Sequence, residues 1–354
     1  MKRPVPHPRA AVKSDAILAS LRGRLVRGDL KPGDLLPTRA QLERRFTASR
    51  ATIQTVFDRL AADGFIAAAG RKGTRVAEHP PHLRRIALVS PWSGPEENRF
   101  WWALQREAER RNGHPELAIA IHAGIHPRGD DPAYLRLLGE ARAGRLAGAI
   151  FATPPASLVD ARFPAANRIP RVAIMPRQSP DDPPVICPHH SSFFDRAVAH
   201  LTQRGCRRIA AISVTIGQGQ RIAEALDEAG CEVAPWRLQI VPLDQPLAAR
   251  ACAHLLLHGP RAQRPDGLII ADDNFVEAAT AGIRDAGVPG LHVIGHCNFP
   301  WPTPSVLPIR RLGYDTRRIL DACLASIAAL RAGRRPADVI IESQLDDEVP
   351  PHPA

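Results

Sequence analysis

Arg50, Thr52 and Gln54 are grouped at the start of a predicted helix, where their side chains can contact DNA bases. Ser49 is the predicted N-cap of this helix. Four apolar residues at i, i+3, i+4 and i+7 predict its buried stripe: Ile53, Val56, Phe57 and Leu60. The polar group falls on the opposite face, near the end that a recognition helix presents to base edges. Arg can bind guanine and Gln can bind adenine through two hydrogen bonds, although one of these side chains could instead only hold phosphate.

Two more helices are predicted before this one. Ser14 is the predicted cap of the first, whose inward face is Ile17, Leu18, Leu21 and Leu25. Thr38 and Gln41 have the spacing of a capping box, in which each end satisfies a free backbone N–H of the other. Thr47 and Ala48 form the tight turn into the third helix. The segment therefore predicts a helix-turn-helix.

A basic β-hairpin is predicted after the third helix. Gly64 ends that helix, and two short strands are joined by the turn Gly70-Arg71-Lys72-Gly73. Arg71 and Lys72 at the tip can enter a minor groove or contact phosphates. Residues 1–78 contain 16 Lys and Arg against 7 Asp and Glu, which is +9 of the chain's net +11. Positive charge localised in this way is typical of proteins that bind the phosphate backbone.

The N-terminal segment resembles the winged-helix head of the GntR family of bacterial transcription regulators. The matching phrases lie in about residues 14–76 and are G-D-L-K-P-G-D-L-L-P-T-R, S-R-A-T-I, R-L-A-A-D-G-F-I and G-R-K-G-T. The resemblance implies that Arg50 and Gly73 occupy the family's DNA-contacting positions. The family usually has an arginine where this chain has Ala40, with Arg39 one step earlier, and another where it has Gln54. These departures imply an operator different from the family's common one.

The rest of the chain has a different pattern. Apolar strands alternate with helices, which predicts parallel sheets covered on both faces, and the length suggests two α/β lobes. The predicted organisation begins with a flexible basic arm and ends with a tail. In order, the segments are the arm 1–12, the winged helix-turn-helix domain 13–78, a proline-stiffened linker 79–83, the two-lobed effector domain 84–346 and the tail 347–354.

This larger region resembles the effector domain of the lactose-repressor family, itself similar to periplasmic sugar-binding proteins. The matching phrases are R-R-I-A-L-V-S, A-V-A-H-L-T-Q-R-G-C-R-R-I-A-A-I, A-L-D-E-A-G, P-D-G-L-I-I-A-D-D and G-V-P-G-L-H-V-I-G-H-C-N. The implied fold class is a two-lobed, periplasmic-binding-protein-like α/β domain preceded by a small α+β winged helix-turn-helix domain. The resemblance also implies a ligand in the cleft between lobes, held at the carboxyl ends of strands.

Carried over by position, this resemblance implies that Ser90, Asp273 and Asn298 line the cleft. Trp101 or Trp102 could stack on a sugar face. Two alternatives stay open: the tryptophans could pack within a lobe, and Asp273 could cap a helix.

Two departures from the family pattern concern the polar anchors of the cleft. In an ungapped alignment, the position of the family's cleft arginine is occupied by Gln218. Arg221 takes that position only if the alignment skips three residues. Cys297 stands where the family has an aspartate. The departures imply a different or less hydroxylated ligand, or a degenerate site.

Other classes of protein find little support in the sequence. No nucleophile elbow, Walker loop or dinucleotide fingerprint is present, Gly217-Gln218-Gly219 reads as a loop, and no cofactor is expected. The six cysteines include no C-x-x-C pair, which fits reduced thiols in the cytoplasm. No metal site is expected at His189-His190. No apolar run has the length of a membrane span, and the N-terminus does not read as a secretory signal.

The leading hypothesis is a ligand-responsive transcription regulator, more readily a repressor than an activator. Its expected partners are double-stranded operator DNA and a small-molecule effector such as a sugar, and it is expected to act as a homodimer. The first alternative is a solute-binding protein of a transport system. The second is an enzyme acting on a sugar or nucleotide, which the missing nucleophile–base pair makes the weakest hypothesis.

Overall fold

A computed structural model describes residues 8–70, 73–126, 131–159, 162–163 and 169–351. These residues form two compact units. The first contains the described residues of 1–91, 110–151 and 155–171, and the second those of 92–109, 152–154 and 172–354.

The first unit begins with three helices and a β-hairpin, which together form the head. They are α1 (Pro8–Val26), α2 (Arg39–Phe46), α3 (Arg50–Ala62), β1 (Ile66–Ala68) and β2 (Thr74–Val76). The apolar residues predicted to face inward from α1 and α3 all lie in one buried core. The antiparallel register pairs Ile66 with Val76 and Ala68 with Thr74. The predicted winged helix-turn-helix is confirmed.

The start of α1 differs from the prediction. Ser14 was the predicted N-cap, but the helix begins at Pro8 and Ser14 is buried in its interior. Proline suits the first turn of a helix because its φ is already helical and its missing N–H would have no partner there. Residues 8–12 are therefore helical and not part of a flexible arm, whereas residues 1–7 lie outside those described.

The predicted linker contains a helical turn. Pro81–Arg84 forms α4, and the ring of His82 stacks on that of Phe65 with centroids 5.7 Å apart. Phe65 belongs to the buried core of the head. The linker is thus packed against the head and is not a simple extended spacer.

Two six-stranded sheets follow the head. In chain order the elements are β3 (Arg85–Val89), α5 (Arg99–Arg111), β4 (Ala118–His122), α6 (Pro132–Arg142), β5 (Gly148–Phe151), α7 (Pro155–Leu158), β6 (Arg171–Ile174), β7 (Val185–Pro188), α8 (His190–Gln203), β8 (Ile209–Ser213), α9 (Ile216–Glu228), β9 (Leu238–Ile240), α10 (Ala248–His258), β10 (Gly267–Ile270), α11 (Val276–Ala286), β11 (His292–Phe299), β12 (Arg310–Asp315), α12 (Thr316–Arg331), β13 (Val339–Ile341) and β14 (Gln344–Leu345). The strand orders are β13-β7-β6-β5-β3-β4 and β14-β12-β11-β10-β8-β9.

The pairing in both sheets agrees with the predicted fold. The pairs β3–β4, β3–β5, β8–β10 and β10–β11 are parallel, and β12–β14 is antiparallel. Strands β5, β8 and β10 are buried along their whole length, as expected for strands covered on both faces. The prediction of parallel α/β lobes is confirmed.

The sequence did not predict strands β7, β12, β13 and β14. It also misassigned Gly217-Gln218-Gly219, which is not a loop but lies in the first turn of α9. Thr215 caps this helix by accepting a hydrogen bond from the N–H of Gln218. A Cβ on Gly219 would lie 3.2 Å from the side chain of Ile240, so the glycine allows close packing of helix and strand. None of the described helices is long and apolar enough to cross a membrane.

Candidate functional site

The N-terminus of α3 is an exposed polar surface on the head. Ser49 caps the helix: its Oγ accepts a hydrogen bond from the N–H of Thr52 at 3.2 Å and lies 2.9 Å from the Thr52 hydroxyl. Both side chains are therefore used to form the helix end. The cap fixes the direction of the start of α3, and N–H groups at a helix N-terminus favour a phosphate.

Arg50 is the exposed first residue of α3. Within the described part of the chain its guanidinium makes no hydrogen bond or ion pair with another residue. It stands next to the cap, on the helix end that a recognition helix directs at a groove. Its donors are therefore available to a base or a phosphate.

Gln54 is held in a chain of side chains that the sequence did not predict. Arg39 Nε donates to Gln54 Oε1 at 2.8 Å, and Gln54 Nε2 donates to Asp58 Oδ1 at 2.7 Å. The Arg39 guanidinium also lies 4.6 Å from the ring centre of Phe57. Both ends of the Gln54 amide are thus engaged, and a base contact by Gln54 must replace one of these bonds.

The tip of the hairpin is only partly described. Arg71 and Lys72, the predicted minor-groove or phosphate contacts, lie outside the described residues. Gly73 has φ 94°, in the left-handed region, and a Cβ there would lie 3.3 Å from Leu35 Cδ2. Glycine at this position therefore allows both the left-handed backbone conformation and the close approach of Leu35, which lies in the loop between α1 and α2.

A cavity of about 320 Å³ lies in the second unit. Its lining follows the carboxyl ends of strands from both sheets, as the strand-end rule for α/β folds predicts. The described lining residues are Trp92, Asn98, Phe100, Ala152, Thr153, Pro154, Ile174, Met175, Pro176, Pro188, His190, Gln218, Ala271, Asp272, Asp273, Asn274, His296 and Tyr314.

Two of the sequence-predicted ligand residues line this cavity. Asp273 is only 2% exposed, and Gln218 is fixed because its Oε1 accepts a hydrogen bond from the Val214 N–H at 2.9 Å. Asn298 lies outside the lining but donates from Nδ2 to Asp273 Oδ2 at 2.6 Å. Asn298 therefore positions the carboxylate of Asp273.

The other predicted ligand residues lie elsewhere. Ser90 is fully buried at the end of β3, and Trp101 is 1% exposed in α5. Trp102 meets Trp301 edge to face, with ring centroids 6.5 Å apart. Arg221 forms an ion pair with Asp195. None of the four is among the described lining residues of this cavity.

Several lining residues were missed by the sequence reasoning. The predicted aromatic residues of the site were Trp101 and Trp102. The aromatic residues that line the cavity on this part of the chain are instead Trp92 and Phe100. Asp272 directly precedes a predicted site residue. His296 and Tyr314 lie on β11 and β12, and β12 was not predicted. The strand-end rule applied to every strand could have identified Asp272 after β10 and Tyr314 near the end of β12. Phe100 in α5 and His296 within β11 carry no such signal.

Burial and neighbouring charges shift the pKa values of three groups that line the cavity. Loss of solvation, followed by the charge of Asp273, raises the pKa of Asp272 to about 6, while His296 and hydrogen bonds from Asn274 oppose the rise. Burial, aided by His296 and His189, lowers the pKa of His190 to about 4, so His190 is neutral at pH 7. Burial also raises the pKa of Tyr314, which stays protonated.

Comparison with known families decides the identity of the head. Residues 13–76 match the family model described as "Bacterial regulatory proteins, gntR family". Over these residues the head is similar to the GntR family. The GntR head thus confirms the resemblance inferred from the sequence, and it favours a transcription regulator over a transport protein or an enzyme. No curated protein matches the sequence of the chain.

Solved structures establish the fold of the larger region that follows the GntR head. A regulatory protein of LacI family from Chloroflexus aggregans is 20% identical with a TM-score of 0.60, over 74% of this chain and 96% of that one. The transcriptional regulator CelR–cellobiose complex is 18% identical with a TM-score of 0.58, over 88% and 98%. A LacI family transcriptional regulator from Lactobacillus casei with bound glucose is 20% identical with a TM-score of 0.53, over 74% and 97%.

Proposed function

We propose that the chain is a ligand-responsive transcription repressor that binds operator DNA through its GntR head and a small molecule in the cavity of its second unit. The observation that carries the proposal is the combination of a GntR head with a LacI-type fold. A DNA-binding head and a ligand-binding fold in one chain provide the two sites that a regulator needs.

The DNA interface of this proposal is centred on α3. Arg50 would read a base or hold the adjacent phosphate. Arg39 and Gln54 would contact neighbouring positions once the hydrogen bond between them is replaced by bonds to DNA. Arg71, Lys72 and Gly73 of the hairpin would follow the backbone or the minor groove. Ser49 and Thr52 would support the interface by fixing the helix end.

The effector site of this proposal is the 320 Å³ cavity. Its size lies at the lower end of the range for small-molecule pockets, about 300–1,000 Å³. Two structural neighbours are named as complexes with glucose and with cellobiose, which supports an effector of sugar size. Asp273, Gln218, Asn98 and Asn274 supply polar groups that could bind hydroxyls.

Coupling between the two sites follows from linkage. An effector that binds one conformation of the protein more tightly shifts the population toward it, and operator affinity changes by the same differential free energy. We further propose a homodimer, because two heads related by two-fold symmetry would recognise the half-sites of a pseudo-palindrome.

Selection from a pool of random duplexes tests the proposal. The purified full-length chain should enrich a defined sequence with two related half-sites. Arg50→Ala should lose this enrichment, whereas Arg27→Ala should keep it. Arg27 offers a matched control, since it is exposed directly after α1 and paired with Asp29. Enrichment of no sequence by the wild-type chain would contradict the proposal.

A further inference from the structure

The cavity is acidic on one side. Asp272 and Asp273 are adjacent in the chain, and both line it after the end of β10. Their hydrogen bonds come from neutral amides: Asn274 donates to Asp272 from its backbone N–H at 2.9 Å and from Nδ2 at 2.7 Å, and Asn298 donates to Asp273. These bonds orient the carboxylates and leave their charge uncompensated.

The cavity contains little positive charge to balance this pair. None of its described lining residues is Lys or Arg. Burial keeps His190 neutral, and His296 Nδ1 lies 3.8 Å from Asp273 Oδ1, beyond hydrogen-bond distance. Even a protonated His296 would balance only one of the two carboxylates. A buried carboxylate is costly without a counter-charge, so the site is complementary to a cation.

Aromatic side chains complete the lining. Trp92, Phe100 and Tyr314 line the cavity, and the faces of such rings attract an ammonium group that has lost its hydration. Tyr314 is 1% exposed, and its hydroxyl has no hydrogen-bond partner among the described residues. A buried hydroxyl without a partner is destabilising, and a polar ligand in the cavity would supply the missing partner.

An organic cation fits this lining better than a metal ion. The described residues contain no group of three His, Cys, Asp or Glu side chains able to hold a metal. The lining is also mostly carbon, with prolines and aromatic rings around the acidic pair.

We propose that the effector is a small organic molecule bearing a protonated amine, whose ammonium group binds beside Asp272 and Asp273. The inference rests on the proposed function, since it names the ligand class of the same cavity. It disfavours anionic effectors such as sugar phosphates, because a phosphate would face two carboxylates with no arginine or lysine from the described lining.

Glucosamine and glucose are matched probes, since they differ in one amino group replacing one hydroxyl, and glucose 6-phosphate is the anionic probe. Calorimetry at pH 7 with the full-length protein should show glucosamine binding at least tenfold more tightly than glucose and no binding of glucose 6-phosphate. Glucosamine should also raise the melting temperature, because a ligand selective for the folded state stabilises it.

Asp272→Asn separates a charge effect from misfolding. The amide keeps an oxygen that can accept from Asn274 and removes the repulsion with Asp273, so the unliganded variant should melt at or above the wild-type temperature while losing glucosamine binding at least tenfold. Asp244→Asn is the matched control, since Asp244 is exposed and outside the described lining, and it should bind glucosamine as the wild type does.

Two results would overturn the inference, and a third measurement keeps the proposed function separate from it. Glucose or glucose 6-phosphate binding as tightly as glucosamine would contradict a cationic effector, as would binding of none of the three probes. Duplex selection reports independently on the regulator. An enriched operator together with either result would reject only the amine, whereas loss of enrichment would reject the proposed function itself.

Discussion

Arg145 Nη1 lies 3.0 Å from Oδ1 of Asp63, and this bond joins the end of α3 to the turn between α6 and β5. Arg22 of α1 binds the other carboxylate oxygen of Asp63. One carboxylate, 15% exposed, therefore ties two helices of the GntR head to a segment of the larger region. Helix α3 is thus oriented partly from outside the head.

Replacing Arg145 tests the value of this contact. Arg145→Ala leaves Asp63 with only Arg22, and we expect the free energy of unfolding to fall by about 1 kcal/mol, as for loss of a partly buried charged hydrogen bond. Urea denaturation measures the change. Arg142→Ala is the control: Arg142 is exposed on α6 and should change stability by less than about 0.5 kcal/mol. Equal effects of the two substitutions would show that the Asp63 bond contributes nothing.

Gly144 provides a second test of the same packing. Its φ is 62°, and a Cβ would lie 2.8 Å from Val26 Cγ2 of α1. Gly144→Ala should therefore cost about 1 kcal/mol for the left-handed backbone and at least about 1 kcal/mol more for the collision. Gly333→Ala is the control, since it has φ 73° and no described atom within 4 Å of its Cβ. Thermal denaturation should place Gly144→Ala clearly below Gly333→Ala, and similar melting temperatures would argue against the contact.

Ser49 should stabilise α3 as its N-cap. Ser49→Ala removes the oxygen that accepts from the Thr52 N–H, and we expect a loss of about 1 kcal/mol in unfolding free energy. Ser49→Asp should retain most of the stability, because aspartate also caps helices well. Ser20→Ala, at an exposed position inside α1, should be close to neutral. A Ser49→Ala protein as stable as the wild type would rule out an energetic role for the cap.

Asp272 should make stability depend on pH. Its folded pKa of about 6 lies above the ordinary value of 3.8, because burial and Asp273 oppose ionisation while His296 and Asn274 favour it. The folded state therefore holds a proton that the unfolded state has lost between pH 4 and 6, and Asp272 reduces stability as pH rises through 6.

The variant Asp272→Asn isolates this effect. Its melting temperature should exceed that of the wild type at pH 7, and the difference should shrink as pH falls toward 4, where the wild-type side chain is also neutral. Asp244→Asn should show no such convergence. A difference that stays constant over this range would mean that Asp272 is already ionised at its ordinary pKa.

The sequence predicted the elements of the chain better than the members of its sites. Periodicity identified the helices of the head, and the caps Thr38 and Ser49 gave the starts of α2 and α3, because these signals are local in the chain. Strand β12 escaped notice because its first two residues are arginines, Arg310 and Arg311, which do not resemble a buried strand.

Site residues were harder to predict because tertiary contacts select them. Gln54 has the residue type of a base reader, yet its bond to Arg39 comes from the packing of α2 on α3 and cannot be read from spacing. Only its bond to Asp58 has a local signal, the i, i+4 spacing within α3. Trp102 has the residue type of a sugar-stacking side chain, yet it packs against Trp301. Phe100, on the same helix α5, is the residue that lines the cavity. Asp273 was predicted because the resemblance places it just after the end of a strand, and it lies three residues past β10. Ser90 was placed by the same rule after β3 and is not among the described lining residues.

The central claim is that α3 reads operator sequence, and fluorescence anisotropy tests it most directly. The wild-type protein is titrated with the selected operator and with a scrambled duplex of equal length, at one salt concentration, because affinity for DNA depends on salt. We expect the operator to bind at least about 100-fold more tightly than the scrambled duplex, and Arg50→Ala to reduce that ratio about tenfold or more while changing affinity for scrambled DNA much less. Equal affinity of the wild type for both duplexes, or an unchanged ratio in Arg50→Ala, would contradict the account.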